Sequence, residues 1–140
     1  MRAAVLSSAS YHGIVTTALV LSAGGMFAAW EVGVWKALCG RFQPEFIVGV
    51  SAGAWNGWAI AGGATPEDLV REWMDPLTAT IIQPGLHRFG VLFPAGLHQK
   101  ARDLFSRYQP RMPFGLTVVE VPRLRPRLVR GAEITLASEY

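Results

Sequence analysis

The chain has 140 residues, of which 51% are hydrophobic and 16% charged, and its formal net charge is +3. That length holds one domain with a packed core and excludes two, while the hydrophobic content excludes a disordered chain. The charge is mild and no basic run is interleaved with stacking aromatics, which argues against nucleic acid as a partner.

Residues 1–14 read as a loose N-terminal extension ahead of a single unit over 15–140. Met1-Arg2-Ala3-Ala4-Val5-Leu6 carries one positive charge, but its apolar run stops at Ser7-Ser8, too soon for a secretory signal. Gly13 to Trp30 and Phe46 to Ala64 are uncharged and approach the length of a membrane span. Each instead divides at glycines into a β-forming run, a turn and a helical run, the pattern of a buried parallel strand with its covering helix. No transmembrane segment is expected, and the location implied is cytoplasmic, with peripheral contact to a membrane surface allowed by the charge.

Thr17-Ala18-Leu19-Val20-Leu21 reads as the first strand, broken by Ser22-Ala23-Gly24-Gly25. A helix is expected from Met26 to Cys39, with Trp30, Val34, Ala37 and Leu38 on one stripe and Glu31 and Lys36 off it. Gly40 reads as its C-terminal stop. Phe46 to Val50 is the second strand, so the chain opens as a βαβ unit with a parallel pair and a right-handed crossover. Cys39 has no partner for an internal disulfide and reads as a small, partly buried residue at a helix end.

A second helix follows Ser51 as far as Ala61 and stops at Gly62-Gly63. Thr65-Pro66-Glu67-Asp68 starts a third, with Thr65 as N-cap, Pro66 at the first helical position and acids in the first turn. Leu69, Val70, Trp73 and Met74 are its expected apolar face. Asp75 to Pro94 reads as an irregular packed loop. Gly96 to Tyr108 is an amphipathic helix with Leu97, Ala101, Leu104, Phe105 and Tyr108 inward and His98, Lys100, Arg102, Asp103 and Arg107 outward. Leu116 to Val121 is a third strand. Pro122 to Arg130 is an edge strand or arm, confined there by its prolines, and Glu133 begins a helical turn.

The candidate chemistry centres on Gly49-Val50-Ser51-Ala52-Gly53. The pattern G-x-S-x-G after an apolar strand and before a helix is a nucleophile elbow, which lifts the serine hydroxyl above the end of a sheet. Ser51 is the candidate nucleophile, and Gly49 and Gly53 are the residues that permit so tight a turn. In a parallel βαβ unit the two strand ends lie side by side. The backbone N–H groups of Gly24, Gly25 and Met26 are then candidate oxyanion donors. His12, His87 and His98 show no metal-ligand spacing, and neither a metal nor a cofactor is expected.

With both of these motifs in this order, the chain resembles the N-terminal part of a patatin-like phospholipase. The resemblance rests on Leu19-Val20-Leu21-Ser22-Ala23-Gly24-Gly25-Met26-Phe27-Ala28, Gly33-Val34-Trp35-Lys36-Ala37-Leu38, Ile47-Val48-Gly49-Val50-Ser51-Ala52-Gly53-Ala54 and Gly62-Gly63-Ala64-Thr65-Pro66-Glu67. It implies a three-layer α/β/α fold with a mainly parallel sheet, incomplete at its C-terminus. It implies hydrolysis of a phospholipid or other acyl-ester lipid by a serine–aspartate dyad with no histidine between. The sequence departs from the family at Phe27, where the glycine loop usually carries a basic residue. It also contains no Asp-Gly, the motif that holds the family's aspartate, so the dyad's second member is expected to lie outside these residues. Asp68, Asp75 and Asp103 each have a plainer reading at helix ends or on a polar face. Two alternatives stay open: a Ser-Asp-His hydrolase built from Ser51, Asp75 and His87 or His98, and an inactive scaffold that binds lipid.

Overall fold

The computed structural model describes residues 7–11, 14–81, 94–120, 122–131 and 133–134. Strands β1 (Ser7–Tyr11), β2 (Ile14–Leu21), β3 (Phe46–Val50), β4 (Phe114–Glu120) and β5 (Arg125–Arg130) form one sheet in the order β1-β2-β3-β4-β5. The three central strands are parallel, with Leu19 beside Ile47 and Ile47 beside Phe114. The two outer strands pair antiparallel, Ser8 with Thr17 and Leu116 with Val129. This is the expected α/β architecture.

The first strand starts three residues before the apolar run at Thr17. Ser7–Tyr11, within the stretch read as an extension, pairs with it along its whole length. The composition of Ser-Ser-Ala-Ser-Tyr hides such a strand, because an edge strand is held by backbone hydrogen bonds that any residue can make. At the other edge β5 carries Pro126 as anticipated, and Arg127 reaches both Glu120 and Glu133.

Among the described residues five helices connect and cover these strands: α1 (Ala29–Leu38), α2 (Ala52–Ala61), α3 (Pro66–Met74), α4 (Pro76–Ile81) and α5 (Pro94–Arg107). Strand residues alternate between faces, so Leu19, Leu21, Ile47, Phe114 and Val129 share one face and are buried. Onto it pack Val32 of α1, Trp58 and Ala59 of α2 and Leu104 of α5. Trp58 stacks on Phe105 at 4.0 Å between ring centres and meets Phe114 edge-on at 5.6 Å. Each fully buried Leu or Ile in this cluster contributes roughly 1.5–3 kcal/mol of transfer free energy. Val20 and Val119 point to the other face and are exposed.

Several helical faces differ from their sequence periodicity. In α1 the buried residues are Glu31 and Val32, whereas Trp30 and Ala37 are exposed. Gly40 does not adopt a left-handed conformation; that conformation occurs at Gly63, after α2. In α3 the capping box of Thr65 and Asp68 forms as expected, and Leu69 is buried. Val70 and Met74, however, are exposed, and Glu72 takes the inner position. The stretch read as a loop from Asp75 opens with helix α4, whose Thr78 and Ile81 are buried. Lys100 of α5, expected outward, is 3% exposed. The cause is common to Glu31, Glu72 and Lys100: each finds partners on other elements, and a long polar side chain is buried when those partners replace water.

Among the described residues no helix is long and apolar enough to cross a membrane.

Candidate active site

Strand β3 ends at Val50 and helix α2 begins at Ala52, so Ser51 alone makes the turn between them. Its backbone sits at φ 53°, ψ −127°. Only one other described non-glycine residue has a positive φ, Leu124 in the β4–β5 turn. A conformation of this kind costs on the order of 1–3 kcal/mol and persists only where the surroundings enforce it.

Two bare glycines are that enforcement. A Cβ on Gly49 would fall 2.7 Å from the Ala54 nitrogen and 2.7 Å from the Gly53 oxygen. A Cβ on Gly53 would fall 2.5 Å from the Ser22 oxygen and 2.7 Å from the Leu21 oxygen. The first close approach folds the helix back over its own strand. The second presses the helix onto the end of β2. The same glycines that shape the elbow therefore bring the end of β2, and the loop after it, against the start of α2. Ser51 itself is exposed.

The loop after β2 runs from Ser22 into a single 3-10 turn, Gly25–Ala28. Gly25 is at φ 56°, a left-handed conformation that a side chain would strain. The turn's first hydrogen bond is donated by the Phe27 N–H to the Gly24 oxygen at 3.1 Å. The N–H groups of Gly25 and Met26 precede that bond and have no acceptor within the turn. Around them the side chains are apolar and open to solvent: Met26 is 58% exposed, Phe27 64% and Trp30 61%.

Beneath this loop lies a polar cluster that sequence reading missed. Glu31, 9% exposed, accepts from the Ser22 N–H at 2.8 Å, the Ser22 hydroxyl at 3.3 Å and the Asn56 amide at 3.0 Å. Asn56, 2% exposed, also donates to the Ala28 oxygen at 2.9 Å, and its own oxygen accepts from Trp73 Nε1 at 2.8 Å. The amide orientation is fixed by that pattern, two acceptors on its nitrogen side and a donor on its oxygen side. One signal was available: Asn56 is the only polar side chain of α2, and a polar group in an apolar helix calls for a buried partner.

The other candidates lie elsewhere. Asp68 closes the capping box of α3 with Thr65 and pairs with Arg71. Its carboxyl is held below its ordinary value, first by the Thr65 hydroxyl and then by the Thr65 N–H. Asp75 accepts from the Leu77 N–H at 2.9 Å and lies 3.6 Å from Lys100 Nζ. Asp103 accepts from Gln99 at 2.9 Å on the exposed side of α5. His98 is exposed on the same helix and makes no hydrogen bond to Asp75; His12 and His87 fall outside the described residues. Among those residues no carboxylate or imidazole hydrogen-bonds the Ser51 hydroxyl. Cys39 is half-buried at the end of α1, its thiol 3.7 Å from the Lys36 oxygen.

The sequence model of the patatin-like phospholipase family matches residues 19–127 of the chain. No curated protein and no solved structure matches it.

Proposed function

The chain belongs to the patatin-like phospholipase family, since the match spans most of its length, and from that premise we propose that it is a serine lipid acyl hydrolase with Ser51 as its nucleophile. The observation that carries the reading is the Ser51 backbone, held at φ 53°, ψ −127° by glycines on both sides and pressed against the end of β2.

In this reading the Ser51 oxygen attacks the carbonyl carbon of a lipid ester. The Gly24, Gly25 and Met26 amides donate to the developing oxyanion, each such donor contributing about 3 kcal/mol to the transition state. The hydroxyl proton passes to a base, the alcohol departs with a proton, and water then releases the fatty acid from the acyl-serine. The family supplies the base as an aspartate in an Asp-Gly motif. Asp68, Asp75 and Asp103 stand in no such motif and are engaged in helix-end or surface contacts, so we assign the role to none of them. The exposed Met26, Phe27 and Trp30 suit an ester presented at a lipid surface, with apolar rings meeting acyl chains. Phe27 in place of a basic residue makes this rim more apolar than the family pattern.

The test is single-turnover acylation. Incubation with a p-nitrophenyl ester of a medium-chain fatty acid should release up to one equivalent of nitrophenolate and leave an acylated chain, and Ser51→Ala should remove both. Acylation that persists in Ser51→Ala would overturn the assignment.

A further inference from the structure

The oxyanion loop has two ends, and each is gripped from below by a different buried side chain. At its start the Ser22 N–H and hydroxyl both donate to Glu31 Oε1. At its end the Ala28 carbonyl accepts from Asn56 Nδ2. The two grips are joined, because the same Asn56 nitrogen donates to Glu31 Oε2 at 3.0 Å. Asn56 belongs to α2, the helix that Ser51 begins, and lies five residues beyond that serine. The nucleophile's helix therefore holds the oxyanion loop through one amide. Trp73 of α3 holds that amide in turn.

We propose that Glu31 and Asn56 are positioning residues for the oxyanion donors. Resting on the acyl-hydrolase reading above, this deepens it by naming what sets the distance between the donors and Ser51. Neither side chain touches substrate. Three features distinguish the arrangement from ordinary core polar packing. Glu31 is compensated by a backbone N–H, a hydroxyl and an amide, with no ion pair among the described residues. Every donor it uses belongs either to the loop end or to the nucleophile's helix. The loop itself contains Gly25 at positive φ and the adjoining Gly24, so its own side chains do little to fix it. A flexible glycine loop whose amides must meet a charge appearing on a neighbouring atom needs an external clamp, since preorganised donors are what make such a site effective.

The experiment compares wild type, Glu31→Gln, Trp73→Phe and the exchange Glu31→Gln/Asn56→Asp. Glu31→Gln is isosteric but turns one acceptor oxygen into an NH2 group that faces a donor. Trp73→Phe keeps the ring, frees the Asn56 oxygen and is the milder variant should the first fold poorly. The exchange restores a donor–acceptor pair between positions 31 and 56 but sets a carboxylate oxygen against the Ala28 carbonyl, so it releases the far end of the loop.

One readout is the rate of Ser51 modification by an alkyl phosphonofluoridate, divided by the rate for its P=S analogue. Sulfur is the poorer hydrogen-bond acceptor, so this ratio reports the donors, whereas general damage lowers both rates alike. The ratio should fall by roughly tenfold to a hundredfold in Glu31→Gln, less than outright loss of one oxyanion donor costs, fall less in Trp73→Phe, and stay low in the exchange. The second readout needs no activity: the amide 1H–15N shifts of Gly24, Gly25 and Met26 should move in both single variants.

Failure of the wild type to react at Ser51 overturns the acyl-hydrolase reading, and the amide shifts then decide the positioning role alone. A wild type that reacts, with ratio and shifts unchanged in folded variants, overturns the positioning role and leaves the nucleophile standing.

Discussion

Among the described residues two glutamates are buried, and their surroundings differ in kind. Glu31 is met by a backbone N–H, a hydroxyl and the Asn56 amide. Glu72 is met by Lys100 at 2.7 Å and by Arg107, and Lys100 also donates to the Glu72 backbone oxygen at 3.1 Å. The first carboxylate is answered by dipoles and fixes backbone at the sheet's end, where Ser51 stands. The second is answered by cations and ties α3 to α5 across the helical side of the fold. Burial alone does not identify a functional carboxylate. What matters is which backbone its partners hold still.

The largest effect expected on the Glu72 side comes from Lys100→Met. It removes one cation from a buried carboxylate, and breaking a buried pair from one side typically costs about 3–5 kcal/mol. Urea denaturation should show that loss, and Lys100→Met/Glu72→Met should recover most of it. Per folded molecule, reactivity at Ser51 should stay unchanged. A loss of reactivity in folded Lys100→Met would erase the distinction between the two glutamates.

On the Ser51 side, Gly53→Ala places a methyl 2.5 Å from the Ser22 oxygen. Overpacking of this severity costs about 1–3 kcal/mol, less than the Lys100 change. The two substitutions should nevertheless rank in the opposite order for Ser51 reactivity, because Gly53→Ala moves Ser51 away from the glycine loop that follows β2. Comparing melting curves with phosphonylation rates for both variants checks the crossing.

The smallest effect is acid dependence at the capping box that starts α3, one helical turn before Glu72. The Thr65 hydroxyl and N–H hold the Asp68 carboxyl below its ordinary value of 3.8. A depressed folded value means that this contribution is complete above the unfolded value and is lost as pH falls through the folded one. The melting temperature should therefore drop between about pH 6 and pH 3 by slightly more in wild type than in Asp68→Asn. A drop of the same size in both would show that the cap carboxylate contributes nothing.

The strand, turn and helix around Ser51 were legible because that geometry is local: Gly49, Ser51 and Gly53 specify the turn by their own sterics, and the apolar run before them marks the strand. The glycine loop was legible through its spacing from β2. The N-cap of α3 was written in four consecutive residues, Thr65 to Asp68. Glu31 and Lys100 were misread outward because helical periodicity sorts residues by polarity. Their partners come from elsewhere in the chain, Ser22 and Asn56 for Glu31, Glu72 for Lys100. Helix α4 was hidden by Thr78 and Thr80, residues of weak helix propensity, although Pro76 at its first position fits a helix start. Strand β1 was hidden because edge pairing asks little of side chains.

The most direct test of Ser51 as the nucleophile is to map the adduct left by a long-chain alkyl fluorophosphonate. The intact chain is exposed to limiting reagent and digested, and the rate of modification is read at each serine by mass spectrometry. Ser51 should react far faster than the exposed Ser22 and Ser106, and Ser51→Ala should leave no fast site. Modification of Ser51 no faster than that of Ser106 would contradict the assignment.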